Sequence, residues 1–133
     1  MNLDAHLLRL LDRCNSARQL AGAGPLYADT RLNGAALDHA RFLAASGYIS
    51  HGGSGDSTPA LRAEHAGYAW SRIGENVLAR THGDADEAFE QWWNSPGHRA
   101  NLLEPAFADC GFGRVYAPRV DCWYYVMMLA TPA

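Results

Sequence analysis

The chain has 133 residues, 48% of them hydrophobic and 11% aromatic, which reads as one domain over residues 1–133 with enough apolar surface for a real core. Its 11 basic and 14 acidic residues leave a net charge of −3 without a basic cluster, which removes nucleic acid from the expected partners. No apolar run approaches a membrane span, and Met1-Asn2-Leu3-Asp4 has neither the basic leader nor the apolar region of a signal peptide, so the chain reads as cytosolic or as the trimmed product of an exported precursor.

Leu3, Leu7, Leu10, Leu11 and Cys14 recur at helical spacing and predict an amphipathic helix over about Leu3–Leu20, ended by Gly22, Gly24 and Pro25. Asp29 or Thr30 can cap a second helix whose face carries Leu32, Ala36, Ala40 and Leu43, with Gly47 as its stop. Ser50 to Pro59 is a polar, glycine-rich loop that includes Ser50-His51-Gly52-Gly53. Thr58-Pro59 then opens a short helix to about His65.

The run Ile73-Gly74-Glu75-Asn76-Val77-Leu78-Ala79 predicts a strand with an acid and an amide inside it. A carboxylate in an apolar strand is expected to be partly buried, and a buried carboxylate needs a partner or its pKa rises. A polar turn follows, then a helix from about Asp84 to Asn94 with Ala85, Ala88, Phe89 and Trp92 on its inner face. In Trp92-Trp93-Asn94-Ser95-Pro96-Gly97-His98-Arg99, the Ser95 hydroxyl can cap the next helix and Pro96 suits its first position. His98 then falls in the first turn, where the positive end of the helix favours neutral imidazole, a base or a metal ligand. Gly111–Tyr116 and Trp123–Ala130 predict a closing hairpin. Helices on both faces of a small, mainly antiparallel sheet would bury these stripes.

Taken in order, Asn15-Ser16-Ala17-Arg18, Pro25-Leu26, Ser50-His51, Gly67-Tyr68, Gly74-Glu75-Asn76, Trp93 to Leu103, and Cys110-Gly111-Phe112-Gly113 resemble the bacterial branch of the CAP superfamily. That superfamily comprises the cysteine-rich secretory, antigen 5 and pathogenesis-related 1 proteins, or SCP domains, and the resemblance runs from about Leu7 to Leu129. It implies an α+β fold, a three-layer α-β-α sandwich, in a secreted, periplasmic or cell-envelope protein. It also implies a cavity lined by two histidines and two acids. His51, Glu75 and His98 match three of those positions. The fourth, counted from Trp92, is Ser95, a departure; Glu90 or Glu87 could reach the cavity from the same helix instead. Such a cavity could take a small-molecule, lipid or peptide ligand, and the domain could also serve a protein partner.

Two imidazoles and a carboxylate could hold zinc or another divalent cation, with His51 and His98 as the ligands, and the cation could activate water for hydrolysis of peptide or cell-wall material. The same residues could act as a metal-free acid and base. They could instead be structural, a His–Glu network that locks loops in a non-catalytic interaction module. No organic cofactor is expected. The remaining histidines, His6, His39, His65 and His82, read as solvated or partly packed. Cys110 and Cys122 flank the hairpin and could bridge it, or antiparallel geometry could keep them apart; Cys14 reads as an inert core thiol.

Overall fold

The computed structural model describes residues 3–133, so the reading of the start falls partly on Met1 and Asn2, which lie outside the described residues. The predicted first helix is α1, Ala5–Leu20, entered through Asp4, whose carboxylate accepts from the Leu7 N–H. After a two-residue strand β1, Tyr27–Ala28, comes α2, Thr30–Ser46, capped by Asp29. Gly47 ends α2 in the left-handed conformation, at φ 83°. Then follow α3, Pro59–His65; β2, Trp70–Arg80; α4, Ala85–Trp93; α5, Pro96–Leu103; β3, Asp109–Ala117; and β4, Cys122–Pro132. β1 was too short for any periodicity to reveal. β2 outruns its apolar core at both ends because its pairing with β4 continues past a register shift near Trp70. Ser95 stands at the start of α5, but its side chain makes no capping bond; only its backbone carbonyl does, to Arg99.

The strands form one sheet in the order β1-β3-β4-β2, antiparallel except for the short β1–β3 pair. On β4, Tyr125, Met127 and Leu129 enter one core with Leu10, Trp92 and Phe112, while Tyr124, Val126, Met128 and Ala130 enter the other with Leu32, Ala36 and Leu43. That period of two with both faces buried is why β4 reads as an unbroken apolar run. Helices α1, α4 and α5 contribute to the first core, and α2 and α3 to the second, so the sheet is the middle layer of an α-β-α sandwich. Helix α2 lies directly on β3. A Cβ at Gly111 would stand 2.1 Å from the Leu32 carbonyl carbon, and one at Gly113 would stand 2.4 Å from the Leu37 Cα.

The Cys110–Cys122 bridge is excluded: all three cysteines are free. The turn at Pro118–Val120 sets Ala117 opposite Cys122, while Cys110 lies far along β3, opposite Leu129. Cys110 and Cys122 also belong to different cores. Cys14 is fully buried, and burial pushes its thiol pKa up to about 12, which keeps it protonated and inert.

Candidate functional site

Glu75 is central. It sits within β2 opposite Met128, and its residue is only 5% exposed. Its Oε2 accepts from Arg62 Nη2 at 2.7 Å, and Arg62 is itself buried on α3. Its Oε1 faces His51 Nδ1 at 2.9 Å. A carboxylate can only accept, so Nδ1 carries the proton and donates. The sequence expectation that Glu75 would need a partner is met by two.

Arg62 does more than neutralise the acid. Nη2 also donates to the His51 carbonyl at 2.8 Å, and Nη1 donates to the Ser57 carbonyl and hydroxyl. One guanidinium therefore pins both ends of the 51–57 loop to β2. His39, expected to be solvated or partly packed, is instead buried, with 1% exposure. It approaches the same carboxylate at 3.9 Å, and its Nε2 donates to the Ser50 carbonyl at 2.7 Å. Sequence reading missed Arg62 as a site member altogether. His39 did carry a signal: on α2 it lies three residues after Ala36 and four before Leu43, on the buried stripe.

His98 comes to the site from the first turn of α5. Asn76 donates to the His98 carbonyl at 3.1 Å, and Asn101 donates to the Asn76 amide oxygen at 2.9 Å, so a pair of amides clasps α5 to β2. Arg99 donates to the Trp93 carbonyl at the end of α4. The structure thus bonds His51 to Glu75 and ties the His98 backbone to Asn76, the next residue of β2. It does not bring in Glu90, which is exposed and bound to Arg13 of α1 at 2.8 Å, nor Glu87, which is bound to Arg80.

The two outer imidazoles are tuned in opposite directions. The hydrogen bond to Glu75 raises the His51 pKa above the ordinary 6.5, and its side chain is 58% exposed. Partial burial lowers that of His98, and repulsion from a charged His51 lowers it further. Desolvation lowers His39 as well, so at neutral pH it is a neutral hydrogen-bond partner rather than an ion-pair member.

These shifts fix a pH dependence. A proton held by His51 stabilises the fold below the unfolded pKa near 6.5, and that contribution fades as pH rises through the higher folded value. His39 and His98 act oppositely: their contribution is present above 6.5 and is lost as pH falls through their lower folded values. In an NMR titration, the His51 midpoint is expected above 6.5 and those of His39 and His98 below it. The loss of stability on acidification should steepen in His51→Ala. A His51 midpoint at or below that of His98 would contradict the geometry.

A divalent cation finds a poor donor set here. Both Glu75 oxygens are engaged, one by a guanidinium that itself repels cations. Among the described residues, no three His, Cys, Asp or Glu side chains cluster as a metal site. Two imidazoles fall short of the three protein ligands that catalytic zinc takes, so the residues do not fit the zinc centre expected at His51 and His98. Calorimetric zinc titrations of the wild type and of a His51→Ala, His98→Ala double variant should superpose. A one-to-one event present only in the wild type would bring the metal back.

The model of the cysteine-rich secretory protein family, CAP, matches residues 11–129. The Bacillus subtilis protein YkwD is 28% identical over 114 residues, 86% of this chain and 44% of its own length. An extracellular protein of Bacillus anthracis containing an SCP domain is 27% identical, with a TM-score of 0.83 over 93% of this chain and 39% of that one. The chain therefore spans less than half of either relative. An outer surface protein of Borrelia burgdorferi shares the fold at 17% identity, with a TM-score of 0.88 over 100% of this chain and 97% of its own.

Proposed function

This chain belongs to the cysteine-rich secretory protein (CAP) family and is of its bacterial type, and on that premise we propose that it works outside the cytoplasm, secreted or in the cell envelope, as a ligand-binding domain. Among the described residues no helix is long and apolar enough to cross a membrane. The two structural relatives named as extracellular and outer-surface proteins support the location.

The binding reading rests on one observation. Glu75 is already paired with Arg62, so the charge of a protonated His51 adds a net positive group at the surface, held in orientation through Nδ1 with His98 close by. That arrangement suits a carboxylate, from a peptide or a lipid, which would accept from His51 Nε2–H. N-acetyl-alanyl-alanine and octanoate are the probes, one peptide carboxylate and one lipid carboxylate. At least one should shift the His51 and His98 ring resonances saturably, more tightly at pH 6 than at pH 8, and lose its effect in the double histidine variant. Binding that is independent of pH, or absent, ends this reading.

The opposite tuning of His51 and His98 favours a second reading, a metal-free hydrolase acting on peptide or cell-wall substrates, with one imidazole as acid and the other as base. It requires cleavage of peptide or peptidoglycan libraries that His98→Ala abolishes while leaving stability nearly intact. No turnover, with or without added zinc, eliminates it.

A further inference from the structure

A second cluster of titratable groups lies at the start of α1. The Tyr125 hydroxyl and His6 Nε2 are 2.8 Å apart, and the two rings are tilted at 39° with their centroids 5.6 Å apart. Tyr125 is fully buried on β4, and His6 is half-buried in the first turn of α1. The bond therefore joins the beginning of the chain to the middle of the sheet. Its direction follows from what surrounds the hydroxyl. The Arg114 guanidinium faces it from β3, and a guanidinium can only donate. The hydroxyl hydrogen must point elsewhere, and His6 Nε2 is the acceptor it meets among the described residues. At neutral pH the imidazole is thus the tautomer that carries its hydrogen on Nδ1.

Protonation of His6 removes that acceptor. Imidazolium carries a hydrogen on each nitrogen, so two hydrogens would crowd one short contact. If the hydroxyl turns away, its hydrogen meets Arg114, another donor. A buried donor without an acceptor costs free energy. The positive end of α1 adds to the cost, because His6 sits in its first turn. The charged groups around the pair are Asp4 before α1, Asp84 at the start of α4, Arg114 on β3 and Arg80 on β2. Both carboxylates are engaged, Asp4 by the Leu7 N–H and Asp84 by the Asp86 and Glu87 N–H groups, and Arg80 is held by Glu87 and Gln91. Burial and Arg114 outweigh the two acids and lower the His6 pKa from the ordinary 6.5. The bond thus stabilises above the unfolded pKa and is lost as pH falls through the lower folded value. We propose that the His6–Tyr125 bond is an acid-released latch: protonation of His6 leaves the Tyr125 hydroxyl without an acceptor, and the first turn of α1 comes away from the sheet. Leu3, Asp4 and Leu7 wall a hollow of about 150 Å³ against Leu37 and Phe112, so the departing turn opens apolar surface on α2 and β3.

NMR of the full chain tests this. Ring resonances give the His6 midpoint, and the nuclear Overhauser contact between the His6 and Tyr125 rings reports the latch. Hydrogen exchange at the Leu8 amide reports the turn, because that N–H donates to the Asp4 carbonyl at 2.9 Å. The Val126 amide, on the strand between β2 and β3, reports opening of the whole fold. One pH unit above the His6 midpoint the ring contact is expected. Two pH units below it the contact should vanish, and Leu8 protection should fall at least tenfold relative to Val126. Tyr125→Phe, which removes only the hydroxyl, should raise the His6 midpoint and shrink that acid-induced loss to under twofold. His6→Gln, whose amide oxygen can accept the hydroxyl hydrogen at any pH, should hold Leu8 protection constant. If His6→Gln does not fold, Tyr125→Phe still decides the matter. The proposal is overturned by a His6 midpoint at or above 6.5, by a ring contact that persists in acid, or by an acid-induced loss at Leu8 that is as large in Tyr125→Phe as in the wild type. Leu8 and Val126 loosening in step would equally overturn it, since acid would then act on the whole fold.

Discussion

Replacing Arg62 by methionine is expected to lower stability by about 3–5 kcal/mol, the range found when one member of a buried ion pair is removed and its partner stays. Glu75 would remain inside β2 with His51 alone, and the His51 and Ser57 carbonyls would lose their donor. Glu75→Gln alone should cost about 1–3 kcal/mol, because Arg62 is left buried beside a neutral amide. In a double-mutant cycle the two losses should fall well short of additive, since both break one interaction. Urea unfolding at pH 7.5 measures all of this. Additive losses would show that the pair is not the unit described. The His51 midpoint is a second readout: in Glu75→Gln it should drop toward 6.5 with the loss of the bond that raises it.

The other large effect concerns the layer that carries the site. In Gly113→Ala the new methyl would meet the Leu37 backbone on α2, and in Gly111→Ala it would meet Leu32. Backbone cannot swing aside as a flexible side-chain end can, so α2 must lift from β3. Overpacking costs about 1–3 kcal/mol and occasionally more, and these two substitutions should reach or exceed about 3 kcal/mol. For a domain of this size that is a fall in Tm on the order of 10 °C. His39 rides on α2, and the 51–57 loop follows it, so the His39 and His51 titrations should shift together with stability. Gly97→Ala, where a Cβ meets nothing within 4 Å, serves as the neutral control. A Gly113→Ala protein as stable as Gly97→Ala would mean that helix and strand are not in the contact described.

Much of the scaffold was legible because its causes are local. The apolar stripes with Asp29, Thr58-Pro59 and Asp84 at their starts placed α2, α3 and α4 to within a residue or two. The motif order from Asn15 to Gly113 pointed to the family, and the family supplied the layers of the sandwich. The burial of Glu75 followed from one acid in an apolar strand. Where a residue's role depended on a distant partner, the reading failed or stayed open: Glu90 turned to Arg13 of α1, and the two hairpin cysteines entered different cores.

The amino-acid order alone thus determined which of the longer segments are helix or strand, and the family resemblance singled out one acid and two histidines. Periodicity, capping and burial of an apolar run act over a few residues, so they are written in any short window of the chain. Only the tertiary structure decided what those three residues do together. It was the fold that set Arg62 against Glu75, turned His39 inward and left His51 and His98 with opposite proton affinities. Charge pairing and desolvation depend on distances between segments far apart in the chain, and those distances exist only once both helical layers close on the sheet.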